Sequence, residues 1–137
     1  MKKLAVALLL ATGTTGCGYN RIQTLDEQVN EAKHQIEVQL QRRADLVPNL
    51  VETVKGQARQ ELQVFTEVTR ARAGLVGALQ RGDVGEMASA NEQLSTAVRG
   101  LMIAVEAYPQ LKSDQAFLRL QDELAGTENR IAVARND

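Results

Sequence analysis

The sequence has few of the residues from which catalytic and metal sites are usually built. Among its 137 residues there is no tryptophan, one cysteine, one histidine and two prolines, and aromatic residues make up 3%. A single cysteine excludes a disulfide within the chain. Zinc sites normally combine two or more His or Cys ligands, so His34, flanked by Glu31 and Glu37, is expected to be an exposed helical histidine. We expect neither a metal nor a cofactor.

A strong positive charge is also lacking. The chain carries 16 Lys and Arg against 17 Asp and Glu, a formal net charge of -1. Phosphate neutralisation needs clustered basic residues, and the sequence has no basic stripe. It also contains no glycine-rich phosphate loop and no Ser–His–Asp order. Nucleic acid is therefore excluded as a partner, no catalytic residues are expected, and the protein is predicted not to be an enzyme.

The longest apolar run, Leu4 to Ala11, is too short to span a membrane. It follows two lysines in the segment MKKLAVALLLATGTTGC, residues 1–17. Eight residues make about 12 Å of helix at ~1.5 Å per residue, whereas a bilayer requires about 20 residues. A charged start, a short apolar region and a small-residue exit are typical of an export signal. We predict a lipoprotein-type signal over 1–16, an anchor and short linker over 17–21, and a helical domain over 22–135.

The end of this signal, Thr14-Thr15-Gly16-Cys17, resembles the lipobox of bacterial lipoproteins. Gly16 fits that motif, although Thr14 stands where leucine is usual. The resemblance implies cleavage before Cys17 and acylation of its thiol, which would hold the chain on a membrane. An uncleaved N-terminal anchor and an ordinary secretory signal with an incidental cysteine are the alternatives. Gly18, in place of an aspartate, favours the outer membrane in a two-membrane bacterium, with the domain in the periplasm.

Beyond Cys17 the apolar residues recur at spacings of three and four, which indicates helices. The period is close to 3.5 residues, so the helices should pack at shallow angles, and short turns favour antiparallel neighbours. This predicts an all-α, elongated antiparallel bundle of three to four long helices. The four stripes are Ile22, Leu25, Val29, Ala32, Ile36 and Leu40; Val47, Val51, Val54, Ala58, Phe65, Val68, Leu75 and Leu79; Met87, Leu94, Val98, Leu101, Val105 and Tyr108; and Phe117, Leu120, Leu124, Ile131 and Ala134.

Local signals suggest where these helices begin and end. Gly82-Asp83 predicts a turn, and Ser113 is a plausible N-cap for the last helix. Pro48 lacks an N–H and disfavours helical geometry in the preceding residue. It permits two arrangements: a break with Pro48 at the first position of a second helix, or one kinked helix running from about Asn20 to Leu79.

Several segments resemble the LemA family of bacterial envelope proteins. They are Tyr19-Asn20, LDEQVNEA from residue 25, QRRADLVPNLVETVKG from residue 41, EAYPQLK from residue 106 and TENRIAVAR from residue 127. The resemblance covers nearly all of 19–135 and implies a helical bundle attached to a membrane near its N-terminus. It implies no established catalytic site. Lys33 and Gln57 replace aromatic residues of the family. In the family, the last helix also continues beyond the segment matched here. If that continuation covers an apolar strip in relatives, the strip in this protein is either exposed or covered by a partner.

Arg42, Arg43, Asp45 and Asn49 form the densest polar group and are the candidate interaction patch. Asp45 and Asn49 share a helical face, as do Arg42 and Asp45. The group could recognise a carboxylate, a phosphate or a partner backbone. Alternatively it supports the proline, because carbonyls freed there need donors. Arg43 lies on the apolar stripe itself, which favours a buried, structural role.

Glu61 and Arg72 interrupt the second stripe. A charge between helices is costly unless it is paired, and pairing can fix helix register. Register or solvent exposure is the expected role of both. Arg43 could reach Glu61 only if the chain folds back at Pro48.

Together these features predict a membrane-tethered envelope bundle that acts as a non-catalytic scaffold or adaptor for an unidentified envelope protein. An envelope-polymer-processing enzyme using Asp45 or Glu52, and a bundle that binds the membrane surface, are the alternatives. The sequence specifies no oligomeric state.

The lipid prediction can be tested directly in cells. Cys17→Ser should abolish incorporation of radioactive palmitate, because the acyl acceptor is lost, whereas Thr15→Ser should leave labelling intact. Equal labelling of the Cys17→Ser protein would refute acylation at this residue.

Overall fold

The computed structural model describes residues 16–136, with side chains described for 21–135. Over these residues the chain is helical and contains no strand, which confirms the all-α prediction. Four helices are long and one is a single turn. They are α1 (Gly16–Lys55), α2 (Leu62–Arg81), α3 (Val84–Val105), α4 (Pro109–Lys112) and α5 (Gln115–Asn136).

The long helices alternate in direction around the C-terminal half of α1. Helix α2 runs antiparallel to α1, because Arg72 contacts Ala44 while Phe65 lies beneath Lys55. Helix α3 turns back and runs parallel to α1, and α5 is again antiparallel, with Glu128 beside Arg43. The result is an up-down-up-down arrangement like that of antiparallel four-helix bundles.

The core is built mainly from the second, third and fourth predicted stripes and from the end of the first, at Ile36 and Leu40. Leucines at 40, 50, 75, 94, 101 and 111 are almost fully enclosed, as are Phe65 and Phe117. Each such side chain contributes roughly 1.5–3 kcal/mol relative to exposure. With few aromatics, stability depends on many aliphatic contacts spread along the bundle axis.

Helix α1 passes through Pro48 without ending there. It continues to Lys55, residues 56–61 form a turn, and α2 begins at Leu62. The predicted break at Pro48 was therefore wrong. The alternative was right that the helix continues through Pro48, but wrong about its end, which is Lys55 and not Leu79. Pro48 cannot donate to the carbonyl four residues earlier, which belongs to Ala44. Arg72 of α2 donates its Nε–H to that oxygen at 2.6 Å.

Two cap predictions have different outcomes. The turn at Gly82-Asp83 is confirmed: Gly82 closes α2 with φ of 72°, and Asp83 accepts from the Glu86 N–H at 3.1 Å. The left-handed conformation at Gly82 is one that glycine adopts without strain. The N-cap prediction at Ser113 was wrong. Asp114 caps α5 by accepting from the Phe117 N–H at 3.1 Å, while the Ser113 hydroxyl donates to the Gln110 carbonyl.

The N-terminal part of α1 extends beyond the other helices. Residues 21–31 are all exposed, so the predicted burial of the first stripe fails at Ile22, Leu25 and Val29. Residues 17–21, suggested as anchor and linker, are helical. The predicted signal lies outside the described residues except for Gly16, and so does the Cys17 side chain. Within 16–136 no helix combines the length and apolar composition needed to cross a membrane.

The contact between Arg72 and Ala44 predicts an energetic coupling between two helices. Arg72→Ala should lower the free energy of unfolding by about 1–3 kcal/mol, because a buried carbonyl loses its donor. In a Pro48→Ala background the backbone N–H at position 48 can donate a hydrogen bond to the Ala44 carbonyl. Arg72→Ala should then lower the free energy of unfolding by much less. Urea unfolding of the four proteins in this double-mutant cycle measures the coupling.

Arg70→Ala is the matched control, since Arg70 is an exposed arginine on the same helix. It should change stability by less than about 0.5 kcal/mol. Equal costs of Arg72→Ala with and without Pro48 would contradict the assignment.

Candidate interaction site

Arg43 is the polar centre of the bundle. Its side chain is 2% exposed although it carries a charge. It lies on the face of α1 that points into the bundle, in line with Ile36 and Leu50 at seven-residue spacing. Only a set of acceptors on the neighbouring helices can make such burial tolerable.

Those acceptors come from α3 and α5. The Nη1 group of Arg43 donates to Ser95 Oγ at 2.9 Å and to the side-chain oxygen of Asn91. Its Nη2 group donates to Glu128 Oε1 at 2.8 Å, and the Ser95 hydroxyl donates to the same oxygen at 3.2 Å. We call Arg43, Asn91, Ser95 and Glu128 the arginine cluster. It joins three helices at one level of the bundle.

Burying the charged Arg43 guanidinium in this cluster costs free energy. Burial lowers the pKa of the Arg43 guanidinium, and the Glu128 carboxylate partly opposes this. For a base, a pKa that is lower in the folded chain means that folding is penalised wherever the group is protonated. That penalty changes only at strongly alkaline pH, so Arg43 adds no pH dependence to stability near neutrality.

The cluster does not satisfy every polar atom around it. Among the described residues, Arg43 Nε and Gln39 Oε1 are both buried without a hydrogen-bond partner. They lie one helical turn apart on α1. Unpaired buried groups of this kind are uncommon, so the cluster secures the position of three helices at some expense of stability.

The predicted patch does not form one surface. Arg43 points inward, whereas Arg42, Asp45 and Asn49 are exposed. Asp45 accepts from Gln41 Nε2 at 3.0 Å, and the Asn49 carbonyl accepts from the Thr53 hydroxyl. The proline does receive polar support, but from Arg72 of α2 rather than from the patch. The exposed remainder, Arg42, Asp45 and Asn49, is called the α1 polar corner below.

The other candidates are separated from the arginine cluster. Glu61 lies in the turn after α1 and accepts from the Tyr108 hydroxyl at 3.5 Å, so it does not meet Arg43. Glu52 is exposed, 4.0 Å from Lys55 Nζ, and His34 is exposed as expected. In the part of the chain that the structure describes, no three His, Cys, Asp or Glu side chains are grouped as metal ligands.

Sequence reasoning placed Arg43 but missed its partners. Glu128 falls in the gap between Leu124 and Ile131 in the fourth stripe. Asn91 and Ser95 are four apart and flank Leu94 in the third stripe. A buried arginine in one stripe requires acceptors at the same level in the others, so these interruptions were the signal that could have identified the partners.

A groove opens at the end of the bundle where α3 begins and α5 ends. Its volume is about 530 Å³, and we call it the end groove. Helix α1 forms its floor, and the first turn of α3 and the last turn of α5 form its walls. Its apolar lining includes Leu25, Val29, Ile36, Val84, Met87 and Ala134. The groove continues directly into the exposed stripe of the N-terminal part of α1.

These features define a class of protein: an all-helical bundle fixed by a buried arginine, with its first helix extended beyond one end. The model of the LemA family matches residues 32–137. Because the match includes most of the chain, this protein belongs to the LemA family, as the sequence resemblance indicated.

Individual relatives are distant in sequence. Magnetosome proteins MamQ 1 and MamQ 2 of Paramagnetospirillum magneticum are each 26% identical over 142 residues. Magnetosome protein MamQ of Magnetospirillum gryphiswaldense is 28% identical over 145 residues. Each match includes 87% of this chain and 52% of the relative, so the chain spans about half the length of the curated relatives it matches.

Replacing charged residues of the arginine cluster should lower the free energy of unfolding more than replacing an exposed charged residue. Arg43→Ala should lower the free energy of unfolding by about 3 kcal/mol, since it leaves a cavity and unpaired acceptors. Glu128→Ala should cost about 1 kcal/mol, because the side chain of Glu128 is half exposed and its pairing is screened by solvent. Arg42→Ala, at the exposed neighbouring position, should be nearly neutral. Urea titrations rank the three, and a cost at Arg42 equal to that at Arg43 would refute the assignment.

Proposed function

We propose that this protein is a membrane-tethered scaffold or adaptor of the bacterial cell envelope, without catalytic activity of its own. Membership of the LemA family supports the envelope assignment. The relatives are named for a cellular structure, the magnetosome, and not for a reaction. Lipid on Cys17 or an uncleaved N-terminal anchor supplies the tether.

The observation that carries the proposal is the shape of α1. It is one helix of 40 residues, about 60 Å long at ~1.5 Å per residue. Its C-terminal half is the central element of the bundle, and its other end leads toward the tether. A continuous helix transmits position and orientation, so the bundle would be held at a defined distance from the membrane.

The arrangement of the carboxylates favours an adaptor over an enzyme of envelope polymers. Asp45 and Glu52 are both exposed, and seven residues of helix place them about 10 Å apart along α1. Asp45 accepts from Gln41, and Glu52 lies beside Lys55. Acid–base catalysis depends on positioned groups in a site that excludes water. On this surface the same residues are suited to contacts with a protein.

The partner surface proposed from the sequence is the α1 polar corner. A photo-crosslinking amino acid at Arg42 or Asn49 in living cells should capture a defined envelope protein. Arg42→Glu should reduce capture from position 49 several-fold, because the charge at the corner is reversed. Asp45→Ala and Glu52→Ala should leave the cellular phenotype intact.

Arg70→Glu, a charge reversal on the exposed side of α2, is the matched control and should leave capture unchanged. Loss of the phenotype with Asp45→Ala or Glu52→Ala and no crosslinked partner would instead favour the enzyme. Binding of the unacylated helical domain, residues 22–135, to liposomes, with no protein captured, would favour a membrane-surface role.

A further inference from the structure

The inward-facing stripe of α1 extends past the end of its own bundle. Leu40 is buried and Ile36 is half-buried against the core, whereas Val29 and Ile22 on the same face are each 66% exposed. Helix α3 begins and α5 ends around the end groove. The face changes from buried to exposed because its neighbours stop there, not because its residues become polar. We call Ile22, Leu25 and Val29 the α1 apolar face.

The spacing of this face suits a helix as its occupant. Ile22, Leu25, Val29, Ala32 and Ile36 alternate steps of three and four residues, the pattern by which one helix packs along another. From residue 21 to residue 36 the surface is about 22 Å long. An amphipathic helix of about 15 residues would cover it, with anchors at i, i+3 or i+4, and i+7.

The charges beside the groove select the kind of helix. Among the described residues that line the end groove, the charged ones are Lys33 and Arg135, both cations. Lys33 Nζ lies 3.8 Å from Glu37 Oε1, which offsets part of its charge. Arg135 lies in the last turn of α5, which forms one wall of the groove, whereas Lys33 lies on α1, which forms the floor. Beside the α1 apolar face, Arg21 and Asp26 carry opposite charges. At the level of the end groove, an occupant with acidic residues flanking its apolar stripe would meet Lys33 and Arg135.

We propose that the end groove and the α1 apolar face bind an acidic amphipathic helix of a partner protein. The helix lies along α1 and extends the packing of the bundle beyond its open end. This rests on the proposed adaptor function and names the partner class that such an adaptor would take.

A second copy of this chain fits the same surface less well. If two copies paired through their α1 apolar faces with the α1 helices parallel, the two bundles would overlap. In each copy the rest of the bundle packs on that same side of α1, so both bundles would need the same space. An antiparallel pair with Ile22 opposite Ala32 avoids this clash. It places Asp26 of the two copies on the same side of the contact, where like charges repel.

The test uses the full chain in phosphatidylcholine nanodiscs and two synthetic 18-residue peptides. Both peptides carry leucine and isoleucine at the apolar heptad positions, with glutamates flanking the stripe in one and lysines in the other. Fluorescence anisotropy should show the glutamate peptide binding at least about tenfold more tightly. Raising the salt concentration should reduce this preference.

Two matched pairs of variants locate the site. Val29→Asn should weaken binding of the glutamate peptide by about tenfold or more, whereas Ile103→Asn, at a residue 69% exposed on α3, should not. Arg135→Glu should reduce the preference for the glutamate peptide, whereas Arg119→Glu, at an exposed position on the same helix, should preserve it. Circular dichroism of each variant checks that the helices are intact.

Equal binding of the two peptides, or equal loss from Val29→Asn and Ile103→Asn, would overturn the proposal. Disulfide-linked dimers of a Leu25→Cys protein expressed at wild-type levels in membranes, absent from the protein without the substitution, would assign the face to a second copy. Binding of the glutamate peptide to empty nanodiscs to the same extent would also overturn it. Absence of peptide binding together with a partner captured at the α1 polar corner would refute only the acidic helix and leave the adaptor function supported.

Discussion

The hydrogen bond from Arg72 to the Ala44 carbonyl is the contact on which the shape of this protein depends. Pro48 removes a donor from the middle of α1, at a point where the helix is surrounded by the rest of the bundle. An unserved buried carbonyl would favour a break, and a break would separate the N-terminal part of α1 from the bundle axis. Because α2 supplies the donor, α1 remains one element. The position of the extended end is thus set by packing deep inside the domain.

The arginine cluster meets a second need of a bundle made of aliphatic side chains. Leucine, valine and alanine stripes pack tolerably at more than one axial offset, since one methyl group can replace another. Hydrogen bonds are less tolerant of displacement. Shifting α3 or α5 by a turn would move Asn91, Ser95 or Glu128 away from Arg43 and leave a buried cation unpaired. The lowered pKa of Arg43 shows that its burial is costly, which is consistent with a role in fixing register.

Local spacing and backbone preference were enough to predict the fold class, the last three stripes and the turn at Gly82-Asp83. They did not predict that α1 ends at Lys55 rather than at Pro48. That outcome depends on Arg72, which is distant in sequence and near only after folding. The candidate site was divided for a similar reason. Arg42 and Arg43 look equivalent in the sequence, but adjacent residues on a helix point about 100° apart, so one enters the core and the other faces solvent.

At the exposed end of α1, the apolar sequence pattern predicts burial, but the neighbouring helices do not extend far enough to provide it. Ile22, Leu25 and Val29 carry the same pattern as the buried residues that follow, so the pattern alone cannot distinguish a covered stripe from an exposed one. What distinguishes them is the length of the neighbouring helices around the end groove. Contiguous apolar surface rimmed by charged residues is the usual form of a protein contact site. Since the face lies on a helix that is already formed, a partner helix bound there would lose less free energy to ordering its receptor, and Lys33 and Arg135 would favour acidic helices at the end groove.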